Sequence, residues 1–182
     1  KDTNGKNICV KKIEKDKHYK QELNIHRSLS AIIDQQYVVK FIDGEVNDEF
    51  ALIAMEYCKY GSLYNFLEKH YSDGLEYNLP GLADILLSML LCIGFLHEQK
   101  IAHRDIKPDN FLIADDFSLR LCDFGFSKSI TNGSESTIQC GTVNYMAPEL
   151  LYFLEPVYDE KVDVWAFGIS AYEMHYGVTP WT

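Results

Sequence analysis

The longest regular pattern of hydrophobic positions is LADILLSMLLCIGFLHEQK, residues 82–100, which predicts a helix. Two short apolar runs follow it, FLI at residues 111–113 and LRLC at residues 119–122. The acidic stretch between them, residues 114–118, is typical of a turn, so the two runs predict a β-hairpin. Such a hairpin would bring the residues that precede it close to those that follow it.

The first part of the chain alternates between strand-like and helical patterns. ICVKKI at residues 8–13, residues 37–46 and residues 50–58 predict strands, with an acidic turn at residues 46–49. Residues 15–33 predict a helix behind a charged start. Its apolar positions at helical spacing are Leu23, Ile25, Leu29, Ile32 and Ile33. This first part is therefore small and rich in sheet.

The pattern changes near residues 58–61. Residues 61–70 predict a short helix and residues 71–81 a linker, after which the chain is mainly helical apart from the hairpin and a polar loop at residues 127–136. We therefore expect two unequal lobes joined by a short connector. Junctions of this kind favour a small-molecule cleft.

Composition narrows the class of protein. The chain has 182 residues, 47% of them hydrophobic and 24% charged, which is enough to bury a core and to stay in solution. A net charge of −10 argues against a general nucleic-acid binder, which needs a basic face. The 5 cysteines are scattered without a CxxC pair, so we expect reduced thiols and no zinc site. Neither a signal peptide nor a membrane span is indicated, and we expect an intracellular, cytoplasmic protein of undetermined oligomeric state.

The most chemically dense stretch is HRDIKPDN, residues 103–110. Charged residues around proline are also ordinary loop chemistry, so a solvated turn is one interpretation. The predicted hairpin favours another, because it would bring Asp105 and Asn110, on one side, near Asp123 on the other. Carboxylate and amide oxygens are ligands that hard cations such as Mg²⁺ prefer.

Four motifs occur in a fixed order along the chain. They are VKKI at residues 10–13, HRDIKPDN, DFG at residues 123–125 and APE at residues 147–149. With DVWAFG at residues 163–168 as a fifth piece, the sequence resembles a eukaryotic-type protein kinase domain. The resemblance implies an α+β, two-lobed fold. It implies a small antiparallel β lobe with one helix over residues 1–57 and a larger, mainly helical lobe over residues 58–182.

The resemblance also implies ATP and Mg²⁺ as cofactor and metal, protein serine/threonine hydroxyls as acceptors, and roles for individual residues. Asp105 would accept or orient the hydroxyl proton, and Lys107 would neutralise charge near the transferred phosphate. Asn110 and Asp123 would bind the metal. Lys11 would contact the earlier phosphates and pair with a helix carboxylate, for which Glu22 is the candidate.

For the adenine ring, the resemblance implies contacts with the connector. Met55 would close the rear of the pocket, while the carbonyl of Glu56 and the amide of Cys58 would bond the base edge. Cys9 and Leu112 would lie on the two faces of the ring.

The resemblance implies a packing role for four aromatic side chains. His103 and Phe124, with Phe41 and His26, would stack as an internal column. For His103 this structural role is favoured over a chemical one, since proton transfer is already assigned to Asp105.

Three residues carry regulatory hypotheses. Arg104 could pair with a phosphorylated residue of the loop between DFG and APE, which charge-assisted hydrogen bonds would order. Thr137 is the first candidate for that residue, with Ser136 and Ser134 as alternatives, and an unmodified loop is the competing interpretation. Thr142 is expected to bond Asp105 and Lys107 from inside instead of serving as a phosphorylation site.

The sequence departs from the family pattern in two ways. No G-x-G-x-x-G stretch precedes VKKI, and Glu22 follows Lys11 after fewer residues than the pattern has. We therefore expect the chain to be a piece of a larger domain. The departure also leaves open a second hypothesis, a catalytically weak or inactive kinase-like scaffold or interaction module.

Overall fold

The computed structural model describes residues 1, 5–14, 19–72, 81–130, 141–152 and 159–181. The strands are β1 (Ile8–Glu14), β2 (Phe41–Val46), β3 (Phe50–Glu56), β4 (Ile101–Ala102), β5 (Phe111–Ile113), β6 (Leu119–Leu121) and β7 (Lys128–Ser129). The α-helices are α1 (Tyr19–Ser30), α2 (Leu63–Ser72), α3 (Leu82–Glu98), α4 (Pro148–Tyr152) and α5 (Lys161–Tyr176). Short 3₁₀ turns cover Pro108–Asn110 and Val143–Tyr145.

The smaller lobe is an antiparallel sheet of three strands with one helix against it. Its strand order is β1-β3-β2, and β3 is central. Helix α1 lies close to β2, because a Cβ atom built at Gly44 would be only 2.6 Å from Leu23 Cδ1. Leu23, Val39, Ile53 and Met55 form the buried centre of this lobe.

Two boundaries in this lobe differ from the sequence prediction. Residues 37–40 are not part of β2, because the amide of Val39 donates to the carbonyl of Leu121 and Val38 bridges to the same residue. This segment therefore pairs with the hairpin of the other lobe. Helix α1 ends at Ser30 and does not extend to residue 33, and Ile33 is 87% exposed.

The larger lobe is mainly helical, as predicted. Helix α3 buries Met89, Cys92 and Leu96, and it lies against the β5–β6 hairpin and α5. The hairpin predicted from the two short apolar runs is confirmed, with Leu112 opposite Arg120. A second pair of short strands, β4 and β7, was not expected from the sequence.

The two lobes share one hydrophobic core. Leu29 of α1 and Val38 belong to the same buried cluster as Phe124, Leu121 and Leu96 of the larger lobe. The predicted domain boundary after residue 57 falls between the end of β3 and the start of α2 and stays a prediction. Within the described residues, no helix has both the length and the apolar character needed to cross a bilayer.

Candidate active site

One buried carboxylate of the larger lobe holds the loop that carries HRDIKPDN in place. Asp163 of α5 is fully buried and accepts the backbone amides of His103 and Arg104, both at 2.8 Å. It also bonds His97 Nε2 at 2.9 Å. Arg104 has a φ of 67°, an unfavourable value for a residue with a side chain. The two bonds to Asp163 stabilise that conformation and so orient the next residue, Asp105.

Asp105 is buried and bonded by three neighbours. Its Oδ1 accepts the amide of Thr142 at 2.9 Å and the hydroxyl of Thr142 at 2.8 Å. Its Oδ2 accepts Asn110 Nδ2 at 3.0 Å and lies 3.2 Å from Lys107 Nζ. Lys107 Nζ also donates to Thr142 Oγ1 at 2.6 Å. The expected contacts of Thr142 with Asp105 and Lys107 are therefore confirmed.

The hairpin brings Asp123 back to this loop. The amide of Cys122, which precedes Asp123, donates to the backbone carbonyl of Asn110 at 2.9 Å. Asp105 and Asn110 are in direct contact, and Asp123 follows the residue bonded to Asn110. Asp123 has a φ of 64°, and its side chain is 45% exposed.

Lys11 lies between two carboxylates from different elements. Its Nζ is 2.6 Å from Glu22 Oε1 of α1 and 2.8 Å from Asp123 Oδ1. The predicted pairing of Lys11 with Glu22 is confirmed. Helix α1 begins at Tyr19, so Glu22 lies in its first turn and reaches the lysine despite the short sequence separation.

The charges in this group support one another. Burial works against the ammonium of Lys11, but the facing carboxylates of Asp123 and Glu22 raise its pKa above the ordinary value. Burial would likewise raise the pKa of Asp123, yet Lys11 and the amide of Gly125 lower it. Both groups are therefore charged at neutral pH.

The residues predicted to contact adenine lie around the connector. Met55 and Cys58 are buried and share a hydrophobic cluster with Leu112, whereas Cys9 is exposed on β1, opposite Met55 in the sheet register. Glu56 ends β3. Burial raises the pKa of the Cys58 thiol to about 12, so this thiol is protonated and acts as an apolar group. The adenine contacts themselves stay predictions.

The predicted aromatic column is confirmed. His26 contacts Phe41 and Phe124 with ring centroids 5.5 and 5.1 Å apart, and Phe124 contacts His103 at 5.6 Å. His103 is fully buried. Its ring nitrogen Nε2 lies 3.0 Å from the carbonyl oxygen of Cys122. The column passes from the small lobe to the HRDIKPDN loop through the Phe of DFG.

The structure describes only some of the residues that carry regulatory predictions. Arg104 is buried, and its Nε donates to the carbonyl of Phe126 at 2.5 Å. Thr137, Ser136 and Ser134 lie outside the described residues. The pairing of Arg104 with a phosphorylated residue stays a prediction.

Two residues of the site were not identified from the sequence. Asp163 belongs to the DVWAFG motif, but the sequence did not indicate its three hydrogen bonds. Their partners lie about sixty residues away along the chain. Gly141 has a φ of 107°, and a Cβ atom there would be 2.5 Å from the carbonyl oxygen of Arg104. The GT that follows Cys140 is the sequence signal for Gly141, since only glycine combines this φ with so close an approach.

Comparison with known proteins agrees with the fold. The family model described as protein kinase domain matches residues 1–182, and the chain belongs to this family. The Aurora kinase of Eremothecium gossypii is 37% identical over 170 residues, which cover 91% of this chain and 42% of that protein. Serine/threonine-protein kinase cds1 of Schizosaccharomyces pombe is 40% identical over 134 residues, covering 70% of this chain and 28% of the relative.

A third relative is the gamma catalytic chain of phosphorylase b kinase, liver/testis isoform, of Bos taurus. It is 30% identical over 156 residues, which cover 84% of this chain and 37% of the relative. The chain therefore spans less than half the length of these curated relatives.

Proposed function

We propose that the chain is the catalytic part of an ATP-dependent protein serine/threonine kinase that transfers the γ-phosphate of ATP to serine or threonine hydroxyls of protein substrates. The observation that carries the proposal is the buried cluster around Asp105, with the Lys11–Glu22 pair in place nearby. A relative named as a serine/threonine-protein kinase supports the choice of acceptor.

In the proposed reaction, Asp105 orients the substrate hydroxyl and takes its proton. Three contacts prepare it for that role: Thr142 occupies Oδ1, while Asn110 and Lys107 contact Oδ2. Lys107 places a positive charge beside the acceptor, which stabilises the negative charge that spreads over the transferred phosphoryl group. Preorganised groups of this kind lower the barrier without reorganising during the reaction.

The site residues fit a magnesium ion by their donor chemistry. Asn110 Nδ2 donates to the carbonyl and the carboxylate of Asp105, so only the amide oxygen of Asn110 is offered to a metal. The carboxylate of Asp123 is partly exposed, and the hydrogen bonds described for it go to Oδ1. Bound there, Mg²⁺ would neutralise the charge of the ATP phosphates. Lys11 would hold the phosphates from the small lobe.

We propose a cytoplasmic location inside the cell, which the free thiols of Cys9, Cys58, Cys92 and Cys122 support. The partners of the protein in this proposal are ATP and protein substrates.

The test is transfer of labelled phosphate from magnesium ATP to a generic protein substrate by wild type and Asp105→Asn. We expect the variant to lose about 10²-fold or more in kcat, because asparagine cannot accept the proton. Asp48→Asn, an exposed carboxyl in the β2–β3 turn, is the matched control and should retain wild-type activity. Equal phosphate incorporation by wild type and Asp105→Asn would remove the catalytic assignment and favour the interaction module.

A further inference from the structure

The first turn of helix α1 contains a polar residue that has no role in the site described above. Gln21 directly precedes Glu22, and its side chain is partly buried. Its Nε2 donates to the backbone carbonyl of Ser127 at 2.7 Å, across 106 positions of the chain. Ser127 lies two residues after the DFG motif. The bond therefore joins the small lobe to the segment that carries Asp123.

Helix α1 contacts the same segment at a second point. A Cβ atom built at Gly125 would be 3.3 Å from Glu22 Oε2, so the Glu22 carboxylate lies close to the main chain of DFG. The other oxygen of this carboxylate, Oε1, is 2.6 Å from Lys11 Nζ. Two consecutive side chains of α1 thus contact Gly125 and Ser127. The contact between α1 and the segment therefore extends over residues 125–127.

The main chain after DFG is held from both lobes. In the larger lobe, Arg104 Nε donates to the carbonyl of Phe126 at 2.5 Å. The next carbonyl, that of Ser127, accepts the bond from Gln21 in the small lobe. Ser127 is buried, and its amide donates to the carbonyl of Phe124 at 3.0 Å. Two successive carbonyls of the segment are therefore fixed by side chains of different lobes.

This anchoring matters because the backbone conformation of Asp123 is unfavourable. Its φ is 64°, in the left-handed region that residues with a side chain seldom adopt. Such a conformation persists only where the surrounding contacts fix it. Lys11 holds the side chain of Asp123 at 2.8 Å, whereas Gln21 holds the main chain that follows. Loss of the Gln21 bond would let Asp123 relax towards a more favourable φ.

An amide suits position 21 better than a charged group. Lys11, Glu22 and Asp123 already form one group of facing charges. Glutamate at position 21 would offer no N–H to the carbonyl of Ser127 and would place a second negative charge next to Glu22. Lysine there would compete with Lys11 for the two carboxylates. Glutamine donates the hydrogen bond and leaves the charge of the group unchanged.

We propose that Gln21 is a positioning residue of the candidate active site. Through Ser127 it keeps the DFG main chain, and with it the carboxylate of Asp123, in place beside Lys11. Gln21 itself touches neither the phosphates nor the metal, and acts on Asp123 through the main chain of residues 124–127. The inference rests on the proposed function, because it adds a residue to the machinery of the same phosphoryl transfer.

The test compares Gln21→Met with wild type in two measurements. Methionine is similar to glutamine in size but has no N–H group, so the variant keeps the packing and loses the hydrogen bond. The first measurement is amide hydrogen exchange of residues 123–127, followed by mass spectrometry, which needs no activity. We expect exchange there to become about 3- to 10-fold faster, which corresponds to the net contribution of one hydrogen bond.

The second measurement is phosphate transfer from magnesium ATP to a generic protein substrate. We expect Gln21→Met to lower kcat about 3- to 10-fold and to leave the KM for the protein substrate unchanged. Gln21→Glu should lower kcat further, because its carboxylate would face the carbonyl of Ser127. Asn24→Leu, which removes an exposed amide of the same helix, is the matched control and should behave like wild type in both measurements.

Three results would overturn the inference. They are unchanged exchange in Gln21→Met, equal acceleration of exchange in Gln21→Met and Asn24→Leu, and faster exchange in Gln21→Met with a wild-type kcat. The last result would show that the bond orders the segment without serving the transfer. A wild type that transfers no phosphate would instead count against the proposed function, and the exchange measurement would still decide whether Gln21 holds the segment.

Discussion

At the scale of the residue, the most consequential arrangement is the lysine between two carboxylates. Lys11 and Glu22 approach to 2.6 Å across two elements of the small lobe, and Asp123 adds a contact from the other lobe. Surface ion pairs contribute little, but this group is partly shielded and links three segments of chain. It therefore acts more as an alignment device for the site than as a source of stability.

The pH dependence of this contact can be predicted from the direction of two pKa shifts. Because the pKa of Asp123 is lowered in the folded state, its carboxylate adds to the free energy of unfolding above the unfolded pKa, about 3.9. That contribution is lost as the pH falls through the folded pKa. The pKa of Lys11 is raised in the folded state, so its ammonium adds to the free energy of unfolding at neutral pH. This contribution is lost only as the pH rises through the folded pKa, which lies above about 10.4. We expect Asp123→Asn to be less stable than wild type at pH 7, by about 1 kcal/mol at most.

Urea unfolding of both proteins across the acid range measures this effect. The difference between wild type and Asp123→Asn should begin to shrink as the pH falls below the unfolded pKa of about 3.9, and it should close below the lowered folded pKa, where the wild-type carboxyl is protonated in both states. Asp48→Asn serves again as the control. A difference that stays constant from pH 7 to pH 3 would show that the charge on Asp123 is not responsible.

At the scale of the element, helix α5 supports the HRDIKPDN loop through Asp163. The carboxylate is fully buried and satisfies two consecutive backbone amides, one of which belongs to a residue with positive φ. Buried amides without a partner are costly, so loop and helix are coupled. The loop geometry is thereby set by a helix whose sequence lies well beyond the hairpin.

We expect Asp163→Ala to lower the free energy of unfolding by about 3 kcal/mol or more, because the amides of His103 and Arg104 lose their acceptor. Urea denaturation followed by circular dichroism measures the loss. Glu98→Ala, an exposed carboxyl at the end of α3, should change stability by less than about 0.5 kcal/mol. Similar stability of the two variants would argue against a supporting role for Asp163.

The sequence predicted most of these elements because their signals are local. The apolar run of α3 and the two short runs of the hairpin are readable from neighbouring residues. Residues 37–40 look equally strand-like, but their partner is Leu121, far away in sequence, and no local pattern reports such pairing. For the same reason the ordered motifs indicated which side chains form the site but not the close approach of Gly141 to the loop.

At the scale of the whole molecule, the two lobes are joined by more than the connector. The column His26–Phe124–His103 and the shared buried cluster run from α1 into the larger lobe. Fully buried Phe124 is common to both. We therefore expect the lobes to unfold together and not as independent units.

This prediction is testable because both tryptophans, Trp165 and Trp181, lie in the larger lobe, whereas circular dichroism reports on all elements. The two signals should give one coincident urea transition. Phe124→Ala should lower stability by about 3–5 kcal/mol and shift both signals together. Phe66→Ala, at a half-exposed position of α2, should cost much less. Separate transitions for the two signals would show that the lobes are energetically independent.

The tight approach at Gly141 has a genetic consequence. The Cβ atom of alanine, the smallest replacement, would already collide with the main chain of Arg104, which no change of rotamer can relieve. Random mutagenesis of this chain should therefore yield inactivating alleles at a codon that encodes neither a charge nor a nucleophile. A compensating substitution would have to move the main chain of the neighbouring loop away from residue 141. Second-site revertants should therefore be scarce.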